Sequence, residues 1–124
     1  ANGRTALMWA AIKGDPESAK TLLEAGAELE IRNQTTLKST ALLIACASGH
    51  LAVAELLVGS GADKEARDAQ GQTPLCVAAH TRARPVCLFL IGARADVNAK
   101  DNEGNTPLKI ATAAGTPNVP EALR

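Results

Sequence analysis

Small and apolar residues recur along this chain in short stretches, with polar residues between them. In residues 51–58, Leu51, Ala54, Leu57 and Val58 have the spacing of the buried face of a helix. The longest apolar stretches, residues 41–47 and 86–92, fall far short of the roughly 18 to 20 residues that span a bilayer. The pattern therefore predicts short helices and no membrane-spanning helix.

These stretches belong to an internal repeat. Threonine followed by Ala-Leu or Pro-Leu recurs at intervals of 35, 33 and 33 residues, beginning at Thr5, Thr40, Thr73 and Thr106. An alanine-rich stretch follows each triplet, at residues 9–11, 44–46, 77–79 and 110–112. A second signal, Gly-Ala-Glu and its variants, keeps the same spacing at residues 26–28, 61–63 and 94–96. A fixed period of this length predicts a stack of similar units.

Each unit is predicted to contain two short helices and a turn. The repeated threonine suits a helix N-cap, and Pro74 and Pro107 suit the first helical position. A glycine about nine residues later suits a left-handed helix end in three units, at Gly14, Gly49 and Gly115. Pro16 and Pro85 indicate the start of a second helix in the first and third units.

The repeat resembles the ankyrin repeat over nearly the whole chain. The matching residues include the Asp-Ala-Gln-Gly-Gln-Thr-Pro-Leu of residues 68–75, Ser-Gly-His-Leu of 48–51, Glu-Leu-Leu-Val of 55–58 and Ala-Asp-Val-Asn-Ala of 95–99. The resemblance implies an all-α repeat fold, an ankyrin-like solenoid of helix–turn–helix units linked by β-hairpin or turn fingers. It also implies a single domain over residues 1–124, with repeats at about 1–31, 32–67, 68–100 and 101–124.

Three departures from the repeat predict irregular turns. The link formed by residues 32–39 is two residues longer than the others and lacks the expected glycine. In the third unit Arg82 and Ala83 replace the Gly-His of the second, and Arg94 replaces the glycine before Ala-Asp. A non-glycine residue in a left-handed conformation costs about 1–2 kcal/mol, so the third unit has either relaxed its turns or lost stability. No unit has the histidine usual after Thr-Pro-Leu, and Met8, Leu43, Cys76 and Lys109 stand there instead.

The two ends suggest a fragment of a longer array or of a multidomain protein. Terminal repeats need polar outer faces, whereas the first unit carries Met8, Trp9 and Ile12. Residues 117–124 alone remain for the last second helix, and Pro120 would interrupt a helix that began at Pro117. The alternative is a short natural end with a helix that starts at Pro120.

Composition and charge narrow the class of protein. Thirteen basic and thirteen acidic residues cancel, which argues against nucleic-acid binding and against disorder. Trp9 and Phe89 are the only aromatic residues, which disfavours an all-β fold. Three cysteines, Cys46, Cys76 and Cys87, cannot all pair within one chain. We therefore expect a reducing compartment, the cytoplasm or the nucleus.

The sequence predicts no enzyme, no cofactor, no metal and no small-molecule substrate. Cys76 and His80 lie one helical turn apart and could supply two metal ligands, but a closed zinc site needs two more. The favoured alternative is that Cys76 packs in the core and His80 lies on the concave surface. Asp63, Asp96 and Asp101 recur once per repeat, which indicates turn residues rather than an acid–base pair. Arg82 and Arg84 are interpreted as a solvated spot at the end opposite the fingers.

The resemblance implies a concave groove, formed by the first helices and the fingers, that binds a partner protein. Carried over by position, the groove contains residues that vary between units while the framework stays fixed: Arg4, Ile12, Lys13, Leu37, Ser39, Ala47, Ser48, Ala69, Gln70, Gln72, His80, Thr81, Asn102, Glu103, Asn105 and Ala113. The leading hypothesis is a non-enzymatic protein–protein interaction module. We expect substitution of Gln70, Gln72 and His80 together to abolish binding and leave the melting temperature unchanged.

Other hypotheses stay open beside it. The chain could be a regulatory or targeting segment of a larger enzyme, channel or scaffold. It could also be a spacer that self-associates through Met8, Trp9 and Ile12. Finally, Leu90, Asp96, Val97 and Asn98 are similar to the pattern that asparaginyl hydroxylases recognise, a pattern of low specificity that a mass measurement would have to test.

Overall fold

The computed structural model describes residues 5–115 as a stack of short helices. The helices are α1 (Ala6–Lys13), α2 (Pro16–Glu24), α3 (Ala41–Ser48), α4 (Leu51–Gly59), α5 (Pro74–His80), α6 (Arg84–Gly92) and α7 (Pro107–Ala114). The predicted last helix after Pro117, and Arg4, lie outside the described residues. Over the part described, the architecture is the all-α repeat stack that the sequence predicts.

The repeated threonines cap the first helix of each unit, as predicted. Each threonine side-chain oxygen accepts a hydrogen bond from the backbone N–H three residues later, at distances of 3.1 to 3.4 Å. Asp15 caps α2 in the same way, through Ser18. The hydrogen bonds from Ser18 hold the pKa of the Asp15 carboxyl below its usual value.

The helix ends separate into regular and strained ones. Gly14, Gly49 and Gly115 end α1, α3 and α7 with φ of 71°, 73° and 71°, which confirms the predicted left-handed caps. Arg82 and Arg94 adopt the same region at φ 61° and 68°. The third unit has therefore kept its left-handed turns. Because arginine occupies them instead of glycine, they cost conformational free energy.

Two rows of helices build the stack. The first helices α1, α3, α5 and α7 pack side by side, and α2, α4 and α6 form a second row behind them. Leucines and alanines of both rows fill the core, with Leu42, Leu57 and Leu75 at most 1% exposed. Within residues 5–115 no helix is long and apolar enough to cross a membrane.

The segments between units form turn fingers rather than β-hairpins. The structure assigns no strand within residues 5–115, which corrects the hairpin alternative. Each finger is closed by one backbone hydrogen bond, as from Asp68 N–H to the Gln72 carbonyl at 3.0 Å. Three to five residues lie inside that bond, and within residues 5–115 the flanking residues form no second backbone hydrogen bond that would extend it into a ladder.

In the long finger at residues 32–39, a lysine occupies the left-handed position that glycine occupies in the other fingers. Lys38 takes φ 51°, at the position where Gly71 and Gly104 have φ 76° and 82°. The Asn33 side chain accepts from Ser39 N–H at 2.9 Å and holds the longer loop closed. The predicted irregularity of this finger is therefore confirmed.

Candidate interaction surface

Exposed side chains at the ends of the first helices and on the fingers form one surface, here called the inner face. Its helical part consists of Lys13 in α1, Ala47 and Ser48 in α3, His80 and Thr81 at the end of α5, and Ala113 in α7, all exposed. Ile12 is half-buried in α1. The stacking of first helices places these residues at equivalent positions in successive units.

Two residues predicted for this surface are buried instead. Ser39 and Gln72 are each 8% exposed. Both hold the base of a finger, because their N–H groups donate to the side chains of Asn33 and Asp68. Their side chains are buried and therefore have little area to offer a partner.

Other predicted surface residues are exposed but already used between units. The Asn102 side-chain amide donates to the Ala69 carbonyl at 3.1 Å, and its backbone N–H donates to Gln70. The Thr81 hydroxyl lies 3.3 Å from the Cys46 carbonyl of the preceding unit. Asn102 and Thr81 thus join neighbouring repeats, so their substitution would change stability as well as any surface.

The remaining predicted residues are available for contact. Their side chains make no hydrogen bond or ion pair in the described part of the chain, and they comprise Lys13, Leu37, Ser48, Gln70, His80, Glu103 and Asn105. Leu37 is 40% exposed, a large fraction for an apolar side chain. Chemistry along this set differs from unit to unit, with no residue type repeated.

Several charged side chains of the fingers, unlike that of Glu103, belong to the framework rather than to the available surface. Arg67 donates through Nη1 to the carbonyl of Gly71 in its own finger and to that of Lys100 in the next unit. Arg32 does the same one repeat earlier, to Lys38 and Arg67. The arginines therefore tie each finger to its successor.

Two glutamates repeat this arrangement at the finger base. Glu30 accepts from Asp63 N–H at 2.9 Å, and Glu65 accepts from Asp96 N–H at 3.0 Å. Lys64 donates to the Ala93 carbonyl across the same junction. The mixed charges of this finger are thus engaged in bonds between units.

A small cavity opens on the inner face between the third and fourth units. It encloses about 260 Å³ and is called the His80 pocket; its lining comprises His80, Asn105, Lys109, Ile110, Ala113 and Ala114. His80 and Asn105 were predicted for the surface from different repeats, and the stacking brings them together here. Ile110, 5% exposed, supplies an apolar wall.

Cys76 and His80 lie where the favoured alternative of the sequence analysis placed them, and two of the recurring aspartates lie in turns as expected. Cys76 is fully buried, and its thiol lies 3.9 Å from the Ala99 carbonyl, while His80 is exposed. Asp96 and Asp101 accept from backbone N–H groups two residues later, which confirms them as turn residues. Among residues 5–115 there is no group of three or more His, Cys, Asp or Glu that could hold a metal.

All three thiols are buried and unpaired with one another. Burial raises the pKa of Cys46, and the neighbouring Cys87 adds to the effect. Burial also raises the pKa of Cys87 to about 11. A buried neutral thiol is a poor nucleophile, so these groups act as small apolar residues of the core.

The outer face of the first repeat is only partly what the sequence predicts. Met8 is fully buried, which removes it from the proposed self-association surface. Trp9 is 43% exposed, whereas its equivalents Ile44, Val77 and Ile110 are at most 8% exposed under the preceding repeat. An open groove of about 810 Å³ runs past Trp9 between α1 and α2.

The His80 pocket and the row of bridging arginines were not predicted from the sequence, although the sequence contains a signal for each. Lys109 stands where the other units have buried Met8, Leu43 and Cys76, and this exchange of an apolar residue for a charged one marks the His80 pocket. The ladder of arginines had a plainer signal, because a basic residue recurs at the same position of three units, ending with Lys100. Residues that repeat in type are framework residues here.

Comparison with protein-family models gives matches over almost the whole chain. A model described as Ankyrin repeat matches residues 2–34. A second model, described as Ankyrin repeats (3 copies), matches residues 42–124. The two matches meet near the irregular finger at residues 32–39.

Similar sequences occur inside much longer proteins. The chain is 41% identical to mouse Ankyrin repeat domain-containing protein 17 over 72 residues, which is 58% of its length. It is also 41% identical to human Ankyrin repeat domain-containing protein 63 over 81 residues, which is 62% of its length. It is 37% identical over 83 residues, 67% of the chain, to the Caenorhabditis elegans Transient receptor potential cation channel subfamily A member 1 homolog. The matched regions span 3%, 21% and 7% of those three proteins.

Proposed function

This chain belongs to the ankyrin repeat family, and we propose that it is a non-enzymatic module that binds a partner protein through its inner face. Ankyrin repeats are generally protein-interaction modules. In this chain the partner contacts would come from the exposed residues of the first helices and fingers. No part of the proposal requires a cofactor.

One observation carries the proposal: residues that repeat in type bond neighbouring units together, whereas residues that vary between units are exposed and available for contact. Arg32 and Arg67 repeat in type and are engaged in hydrogen bonds between units. Gln70, His80 and Glu103 have no counterpart of the same type in other units, and their side chains are exposed and available. A fixed framework that presents a varied surface is what selective recognition of a partner requires.

The surface is formed before binding. Caps, core and bonds between fingers fix the backbone that carries it, so little chain has to be ordered when a partner docks. Affinity then depends on a few anchoring side chains rather than on the cost of ordering a loop.

Affinity capture with matched variants tests the proposal. The inner-face variant combines Gln70→Ala, His80→Ala and Glu103→Ala, and Gln72 is left intact because it is buried. The control combines Lys20→Ala, Glu24→Ala and Glu55→Ala, exposed residues of the second-helix row. We expect a protein retained by the wild type and the control to be lost by the inner-face variant, with melting temperatures within about 2 °C.

Either of two results would contradict the proposal. Equal retention by all three baits would place binding outside the inner face. Loss with the control and not with the inner-face variant would place it on the second-helix row.

A regulatory or targeting role inside a larger protein is a second candidate. The observation that favours it is the small share, 3% to 21%, that the matched segment forms of these three relatives. The length of the reading frame that encodes this chain tests it, and a frame without any further domain would remove its support.

We further propose a reducing compartment, cytoplasm or nucleus, as the place of action. The support is that Cys46, Cys76 and Cys87 are buried, free thiols. Microscopy of the tagged full-length protein tests this, and secretion would contradict it.

A further inference from the structure

The His80 pocket contains hydrogen-bond donors that no residue of the described chain satisfies. His80 presents its imidazole, Asn105 its side-chain amide, and Lys109 its ammonium group. None of these three side chains makes a hydrogen bond or ion pair with any of residues 5–115, since the bonds of Asn105 and Lys109 come from their backbones. The lining contains no carboxylate.

The size of the pocket suits one side chain. At about 260 Å³ it is smaller than the roughly 300–1,000 Å³ of typical small-molecule sites. Ile110 and Ala113 line it with apolar surface, against which the methylene groups of an inserted side chain can pack.

Charge is distributed unevenly along the stack and favours the same occupant. Among the first four helices, α2 and α4 contain acidic residues, Glu17, Glu24 and Glu55, whereas α1 and α3 contain none. Helices α5, α6 and α7 contain Arg84 and Lys109 and no acidic residue. Within the described range, the carboxylates of the last two units lie on the finger segments, at Asp68, Asp96, Asp101 and Glu103.

The bonds of the fingers decide which of those carboxylates can compete for the pocket. Asp68, Asp96 and Asp101 are engaged with backbone N–H groups of their own turns. Among the carboxylates of the last two units, Glu103 alone is exposed and makes no side-chain bond within residues 5–115, and it is absent from the pocket lining.

The fourth repeat is the last one in the described part of the chain, so its far side has no described neighbour, which accounts for a lysine at position 109 by itself. It does not account for His80, which belongs to the third repeat, where the other units have Ile12, Ala47 and Ala113. Two cationic or donor groups from different repeats therefore face one cavity that has an apolar wall.

We propose that the His80 pocket receives the side chain of an aspartate or glutamate from an acidic segment of the partner protein. The proposal rests on the proposed function, since it specifies the partner's chemistry at the inner face. A carboxylate would accept hydrogen bonds from His80 and Asn105 and pair with Lys109 in a partly enclosed site. Such a pair steers and selects a partner more than it adds raw affinity.

Selection of peptides against the whole chain tests the proposal. Random dodecapeptides, each with an amidated C-terminus, are selected on the wild-type protein, and enriched peptides are measured by fluorescence anisotropy. We expect enriched peptides to be acidic and to lose about tenfold in affinity when their Asp and Glu are changed to Asn and Gln. The affinity should also fall as salt is raised from 50 to about 300 mM.

Matched variants locate the binding. His80→Gln and Lys109→Gln keep side-chain length and polarity at exposed positions, so the fold should tolerate them, and circular dichroism melting verifies this. Each should weaken the acidic peptides about threefold, and together about tenfold. Lys20→Gln, an exposed lysine of α2 in the second-helix row, should leave affinity unchanged.

The outcomes separate this proposal from the proposed function. Enriched peptides without acidic residues, or acidic peptides that the double variant still binds fully, would overturn the acidic-segment proposal and leave a peptide-binding inner face. Peptides that need a free C-terminal carboxylate, found in a parallel selection without amidation, would overturn the side-chain source. A selection that enriches nothing would overturn the acidic-segment proposal and count against a preformed binding face as well.

Discussion

At the scale of single residues, two arginines hold backbone conformations that favour glycine. Arg82 and Arg94 have φ of 61° and 68°, at positions where other units place Gly14 or Gly26. The left-handed conformation costs a non-glycine residue about 1–2 kcal/mol, of which roughly 0.5–1 is offset by the greater unfolded-state entropy of glycine. We therefore predict that Arg82→Gly raises the free energy of unfolding by about 0.5–1 kcal/mol, measured by denaturant titration.

The control for this prediction is Arg82→Ala, which removes the long side chain and keeps the Cβ atom. Alanine should give no comparable gain, because the strain comes from Cβ. Equal stabilisation by glycine and alanine would show that the arginine side chain, and not the backbone, limits stability.

Buried thiols give a prediction with a definite direction in pH. Burial raises the pKa of Cys87 to about 11 from 9.0, so at pH 8 the folded protein holds about a hundredth of the thiolate that the ordinary value allows. We predict alkylation of Cys87 at least about 100-fold slower in the folded than in the denatured chain. Mass spectrometry of quenched samples measures the rates, and rapid labelling of the folded chain would contradict the buried position.

The raised pKa of Cys87 also decides how the free energy of unfolding changes with pH. The raised pKa means that the folded state holds its proton more tightly than the unfolded state does. The contribution to stability is therefore complete below about pH 9 and lost as pH rises toward 11. Cys87→Ala should flatten this part of the pH profile of the melting temperature.

At the scale of elements, the arginine ladder connects fingers that have no strands to pair. Arg67 bonds the carbonyls of Gly71 and Lys100 with one guanidinium nitrogen. We predict that Arg67→Ala lowers the free energy of unfolding by about 1 kcal/mol, toward the low end for charged hydrogen bonds because the group is exposed. Arg84→Ala is the matched control, since the Arg84 side chain is exposed and makes no bond within residues 5–115. Equal effects of the two substitutions would contradict a bridging role.

Elements were predictable from the sequence where their signals are local. The threonine caps and the glycine at the end of α1 are decided within one turn of helix, and the structure confirms them. Burial of Gln72 and the inter-unit bond of Asn102 depend on a neighbouring finger, which no local pattern reveals. The candidate surface was therefore predicted in outline, while its division into available and engaged residues required the packing.

At the scale of the whole molecule, the main helix contacts of residues 5–115 join helices of the same unit or of neighbouring units. His50 connects the first two units, because its Nε2–H donates to the Ile12 carbonyl at 3.1 Å and its ring covers Gly14. A Cβ atom at Gly14 would lie 2.4 Å from the imidazole Nδ1 atom. Such arrays behave as coupled units, so one weak junction can separate the unfolding of one repeat from the rest.

Trp9 allows that junction to be observed, since it is the only tryptophan and the chain has no tyrosine. Its fluorescence reports the first repeat, whereas far-ultraviolet circular dichroism reports all helices. We predict coincident denaturant transitions for the wild type, because the junctions couple the repeats into one cooperative unit.

In His50→Ala the Trp9 transition should come first, by an amount that corresponds to about 1–2 kcal/mol for a lost hydrogen bond and its packing. His80→Ala, which removes an exposed histidine with no such bond, should keep the two transitions together. If the fluorescence and dichroism of His50→Ala still coincide, the contacts of α1 and α2 with α3 and α4 suffice to couple the first repeat, and the His50 bond is dispensable.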